Sequence, residues 1–144
     1  DYYWQPLWAM FGDDAPYQQL ADPLARIRAH CILLADYHDL PNVAPGSLFG
    51  IFSQELSVTN PNLCELAAEA FDWWAGLIRA DLDEAAGVYG SRQAVDTQAV
   101  AEHFLAVYEG ALILARAQNS RAPIRRNLMQ YADYVDALFG RPGG

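Results

Sequence analysis

The chain contains no lysine: its nine basic residues are all arginine, set against 18 acidic ones, for a formal charge of −9 over 144 residues. Affinity for nucleic acid comes largely from cationic contacts to phosphate, so a chain this poor in positive charge is a weak DNA binder by itself. Cysteine is almost as scarce. Cys31 and Cys64 form no CxxC and no Cys/His pattern, which excludes a disulfide framework and predicts two reduced, packed thiols. No apolar run reaches the roughly 18 uninterrupted residues of a membrane span, and no signal-peptide layout is present, so a cytoplasmic protein is expected.

Signatures of chemistry are missing as well. His30, His38 and His103 are the only histidines, with no HExxH and no Glu followed three residues later by His, which excludes the common helical zinc and di-iron patterns. Ser47, Ser53, Ser57, Ser91 and Ser120 lack the GxSxG context of a nucleophile elbow, and no strand is predicted to build one. His30 and Cys31 are neighbours in sequence, but adjacent helical residues diverge by about 100° and do not face each other. Gly46 and Gly50 flank apolar residues rather than a lysine, so there is no phosphate-cradling loop. These absences predict a protein that is not an enzyme and holds neither metal nor cofactor.

What the chain does have is apolar patterning. Hydrophobic residues make up 53% against 19% charged, too apolar a balance for disorder and enough for one folded domain over 1–144. Breaks fall at Gly12 to Pro16, Pro41 to Gly46, Thr59 to Pro61, Gly87 to Gln93 and Asn119 to Pro123. Between them apolar residues recur at three and four, which predicts an all-α antiparallel bundle of about six helices. Asp22 before Pro23 and Asn60 before Pro61 each set a capping side chain ahead of a proline, and Asp96 has the same role before the next helix.

The helix faces are legible too. From Asn60 onward Leu63, Leu66, Ala67, Ala70, Phe71, Trp74, Leu77 and Ile78 form a stripe, with Glu65, Glu69, Asp72 and Arg79 off it. Trp73 widens the apolar arc, as expected of a central helix. Asp96 to Asn119 carries two stripes, Val100, Phe104, Val107, Ala111 and Leu114, and Leu105, Tyr108, Leu112 and Ala115. A helix apolar nearly all round needs partners all round, and a second subunit is the expected supplier. Pro123 to Phe139 sets Ile124, Leu128, Tyr131, Val135 and Leu138 at helical spacing.

Three segments, read in order, carry a family likeness: GSLFGIFSQEL from Gly46 to Leu56, NPNLCELAAEAFDWW from Asn60, and YEGALILARA from Tyr108 to Ala117. Together they resemble the C-terminal, effector-binding and dimerising domain of TetR/AcrR-type transcriptional regulators. The resemblance implies a homodimer through the last two helices, with Val107, Gly110, Ala111, Leu114, Leu128, Tyr131, Val135 and Leu138 as candidate contacts and close helix packing at Gly110. It implies a small-molecule effector bound among the earlier helices, which would control DNA binding by an upstream helix-turn-helix head. No such head is found in this sequence, so the chain reads as the C-terminal part of a longer regulator, a repressor by expectation. A stand-alone helical ligand carrier or protein-interaction module, with no DNA role, is the alternative.

The expected ligand site is a mostly apolar cavity bounded by Trp8, Cys31, Leu34, His38, Phe52, Glu55, Trp74, Ile78, Phe104 and Tyr108, favouring an apolar or aromatic effector. Ile27, Cys31, Leu34 and His38 share one helix face, with His38 bringing a polar tip to its end; that tip is expected either to bind a ligand or to cap a buried carbonyl. Glu55 is read as a polar group at the cavity wall or at a helix edge, and Glu109 as a partner across helices.

Overall fold

The computed structural model describes residues 9–46, 50, 59–91 and 93–141. Within them a 3-10 turn, Pro16–Gln19, precedes four α-helices: α1 Pro23–Asp39, α2 Pro61–Tyr89, α3 Thr97–Gln118 and α4 Ala122–Leu138. No strand occurs among the described residues. The expected count was about six helices; the opening segment and Gly46 to Leu56 fall mostly outside the described residues.

Three of the four helices, α1, α2 and α3, start where the sequence places a cap. Asp22 accepts from the Leu24 N–H at 3.2 Å with Pro23 behind it, and Asn60 accepts from Leu63 at 3.4 Å ahead of Pro61. Asp96 accepts from Ala99 at 3.0 Å. Each bond satisfies one of the N–H groups that a helix start leaves without an internal partner. The ends are as clear: α2 stops at Gly90, whose φ of 63° suits glycine, and α3 stops at Asn119 with φ 48°, the left-handed conformation in which asparagine is enriched.

The helices form a ring in which α1 packs on α2 and α4, and α3 packs on the same two. Ion pairs give their direction. Arg28 near the start of α1 meets Asp133 and Asp136 near the end of α4, both at 2.7 Å. At the other end Arg125 meets Asp36 at 2.5 Å and Asp39 at 2.7 Å, so α1 and α4 run antiparallel. Arg26 of α1 reaches Asp81 of α2 at 2.8 Å as well as Glu84, and Arg79 of α2 bonds Gln98 of α3 at 2.8 Å; these crossings are antiparallel too.

Between the helices lies one main core that includes Leu24, Ile27, Leu34, Ile78, Leu82, Phe104, Leu112, Ile124 and Leu128. Burying a side chain of this size stabilises by about 1.5–3 kcal/mol, so the core is the principal force closing the ring. Glu65, Glu69, Asp72 and Arg79 are exposed, as the α2 pattern predicts. Ala67 and Ala70 form a smaller cluster with Leu66 and Phe71 toward the start of α2.

Candidate ligand site

Of the ten side chains predicted to bound a ligand cavity, Trp8, Phe52 and Glu55 lie outside the described residues. The other seven, Cys31, Leu34, His38, Trp74, Ile78, Phe104 and Tyr108, are all buried. Helical spacing on α1 turns Cys31, Leu34 and His38 inward, and α2 and α3 supply the rest. The aromatic rings touch: Trp74 lies 5.4 Å from Tyr108 and 6.1 Å from Phe104, and Phe104 and Tyr108 are near parallel at 6.2 Å between centroids. These separations fall in the favourable range for ring pairs.

His38 is the polar member. It is 2% exposed, and its Nε2 lies 2.7 Å from the Tyr108 hydroxyl. Among the described residues its Nδ1 has no hydrogen-bond partner. Burial, reinforced by the nearby Arg121 charge, lowers its pKa below the usual histidine value and keeps the ring neutral. The expected alternative of a buried carbonyl capped by His38 is not what the structure shows. That work falls to Arg121, which donates to the His38 carbonyl at 2.7 Å and to those of Leu40 and Pro41, while the imidazole turns to Tyr108.

A second buried histidine escaped the sequence reading. His30 is 2% exposed, accepts from the Trp74 Nε1–H at 2.7 Å through Nε2, and has Nδ1 2.9 Å from the Tyr17 hydroxyl. Because Nε2 accepts, the single proton of the neutral ring belongs on Nδ1, where it donates to Tyr17. Tyr17 in turn donates toward the Phe11 carbonyl at 3.5 Å, and Phe11 stacks on His30 at 4.4 Å. Burial holds the His30 pKa down at about 3. Its signal was present in sequence: His30 falls on the apolar face of α1 between Ile27 and Leu34.

Cys31, the next residue along α1, is a buried free thiol whose pKa burial pushes up to about 12, which makes it unreactive at neutral pH. Cys64 is free as well. The buried Arg26–Asp81 pair was also missed, since nothing local in the sequence links residues 55 positions apart. Burial raises the Asp81 pKa against the opposing pull of Arg26.

The structure separates the eight candidate dimer contacts into two groups. Ala111, Leu128, Tyr131 and Val135 are at most 2% exposed within the subunit; Tyr131 even donates to the Val100 carbonyl at 2.8 Å. Side chains already spent on the subunit's own core have no area left to give a partner. Val107, Gly110 and Leu138 are half-buried and Leu114 is exposed; Ile113 and Tyr134 are also large and exposed on α3 and α4. A cleft of about 1290 Å³ opens at the end of the bundle far from His38, where Tyr89, Asp96, His103, Tyr134, Leu138 and Phe139 contribute to its wall. None of the seven described cavity candidates lines it.

Among the described residues no helix is long and apolar enough to cross a membrane, and no group of His, Cys, Asp or Glu is arranged to hold a metal ion. No curated protein and no solved structure matches the chain. A family model does: the one described as "Tetracyclin repressor-like, C-terminal domain" matches residues 23–131, from the start of α1 into α4. The all-helical ring and a match over most of its length agree, and the chain belongs to the tetracyclin repressor-like C-terminal domain family.

Proposed function

We propose that this chain is the effector-sensing and dimerisation domain of a TetR-like transcriptional repressor, controlling a helix-turn-helix DNA-binding head. Family membership supports a regulator domain. The observation that carries the sensing role is the buried imidazole of His38, with one nitrogen unpartnered among the described residues, set against the ring cluster of Trp74, Phe104 and Tyr108. A core built only for stability has every reason to satisfy such an atom, since a buried polar group without a partner costs about 1–3 kcal/mol. An apolar or aromatic effector entering here has to part packed rings, and it shifts the domain only as far as it prefers the opened form. The dimer face in this reading is the outer surface of α3 and α4, with Val107, Gly110, Leu114 and Leu138 joined by Ile113 and Tyr134.

The test is calorimetric titration of the purified chain with small aromatic compounds, alongside sedimentation. The expected result is a dimer at micromolar concentration that binds at least one such compound and loses affinity for it on Trp74→Ala without losing dimerisation. A stable monomer, or a folded Trp74→Ala protein that binds as the parent does, overturns the proposal.

A further inference from the structure

Resting on that sensing role, we infer that His38 presents a single buried Nδ1–H donor, and that the effector class is an apolar compound carrying one neutral hydrogen-bond acceptor, such as a ketone or ester carbonyl. The argument starts at Tyr108. Its hydroxyl is buried and carries one proton to place, and the partner that the described residues give it is His38 Nε2 at 2.7 Å. Two arrangements are possible. If Nε2 bears the proton and donates to the tyrosine oxygen, the Tyr108 proton and the Nδ1 lone pair are both left without partners. If Tyr108 donates to Nε2, the neutral ring carries its proton on Nδ1 and only that N–H is unmet. The second leaves one buried group unsatisfied rather than two, so it is favoured.

The neutral state of the ring follows from its 2% exposure and from the guanidinium of Arg121, anchored on the carbonyls at the end of α1. At His38 an effector therefore meets a neutral donor and not an imidazolium. A carboxylate would have to shed its hydration for one neutral N–H beside the Tyr37 and Tyr108 rings, while the Arg121 guanidinium already gives its N–H groups to the carbonyls of His38, Leu40 and Pro41, a poor exchange; a carbonyl oxygen sheds far less. Satisfying an otherwise orphaned donor is also a source of selectivity, because a compound lacking the acceptor leaves it orphaned.

The experiment uses three probes of one shape on the intact chain: 2-acetylnaphthalene, 2-isopropenylnaphthalene, which replaces the carbonyl oxygen by CH2, and 2-naphthoate. Titration is expected to show the ketone binding at least about tenfold more tightly than the alkene and the carboxylate. Histidine-labelled 15N NMR of the free chain is expected to show His38 protonated at Nδ1, with that proton moving downfield when the ketone binds. His38→Phe is expected to erase the ketone preference; Tyr108→Phe, which keeps the ring but removes the donor that sets the tautomer, is expected to shrink it. Equal binding of ketone and alkene, tightest binding by naphthoate, or protonation at Nε2 overturns the acceptor inference while leaving a binding site in place. Binding of none of the three by the folded dimer overturns both this inference and the sensing role.

Discussion

At the scale of single residues, the two buried histidines make acid the sharpest probe of the core. Burial holds His30 at about 3 in the folded chain, against an unfolded value near 6.5. Between those limits the unfolded chain binds the extra proton, so stability is intact above about pH 6.5 and falls as pH is lowered toward 3. Each unit of depression is worth about 1.4 kcal/mol, and His38, whose pKa is also lowered, acts in the same direction. Urea unfolding of His30→Gln is expected to give a less stable protein at pH 7 with a flatter decline between pH 6.5 and 4; an unchanged slope refutes the assignment. Trp74→Phe tests the same network from the other side. It removes the indole N–H and strands His30 Nε2, at an expected cost of about 1–3 kcal/mol beyond any packing change. For the candidate site, what was legible at this scale is burial. Cys31, Leu34, His38, Trp74, Ile78, Phe104 and Tyr108 converge because each lies on a face that periodicity marks as apolar. The bonds joining His30 to Trp74 and to Tyr17 were not, because they depend on which helices meet, and periodicity gives faces without neighbours.

At the scale of elements, the helix starts were the most legible feature of the chain. Asp22, Asn60 and Asp96 all cap as their sequence context predicts, since an N-cap needs only a short polar side chain at the right offset from its own helix. Asp96→Ala is therefore expected to destabilise by about 1 kcal/mol, seen as a shift in unfolding midpoint with no change in slope; no shift means that the cap is redundant. The ties between helices were hidden. Arg26 with Asp81, Arg28 with Asp136 and Arg125 with Asp36 each pair positions dozens of residues apart, and in sequence every one of these arginines reads only as a charge on an amphipathic helix. Tyr131 is a related case. Its place on the apolar stripe of α4 makes it a candidate contact with a partner subunit, yet α3 covers it within the same chain, and its hydroxyl donates to the Val100 carbonyl. A stripe reports that a surface needs cover, not whether the cover is intramolecular.

For the whole molecule, two glycines test the dimer face proposed on α3 and α4. Gly110 on α3 and Gly76 on α2 both sit in helix interiors, and a Cβ added to either meets no atom of the described residues within 4 Å. Glycine there costs about 1 kcal/mol relative to alanine, and nothing among the described residues accounts for it at either place. If α3 and α4 form the dimer face, the backbone at Gly110 lies close to a partner helix and a methyl group intrudes. Gly76, exposed on α2, stands off that face and serves as the control. Gly76→Ala is expected to stabilise the chain by about 0.5–1 kcal/mol with the dimerisation constant unchanged. Gly110→Ala is expected to gain the same helix propensity yet weaken dimerisation roughly tenfold or more, because a new methyl in a close-packed contact typically costs about 1–3 kcal/mol. Sedimentation over a concentration series on both variants reads the two effects separately. Should Gly110→Ala merely stabilise, as Gly76→Ala does, the α3 surface at Gly110 is ordinary solvent-facing helix and the proposed dimer face is wrong.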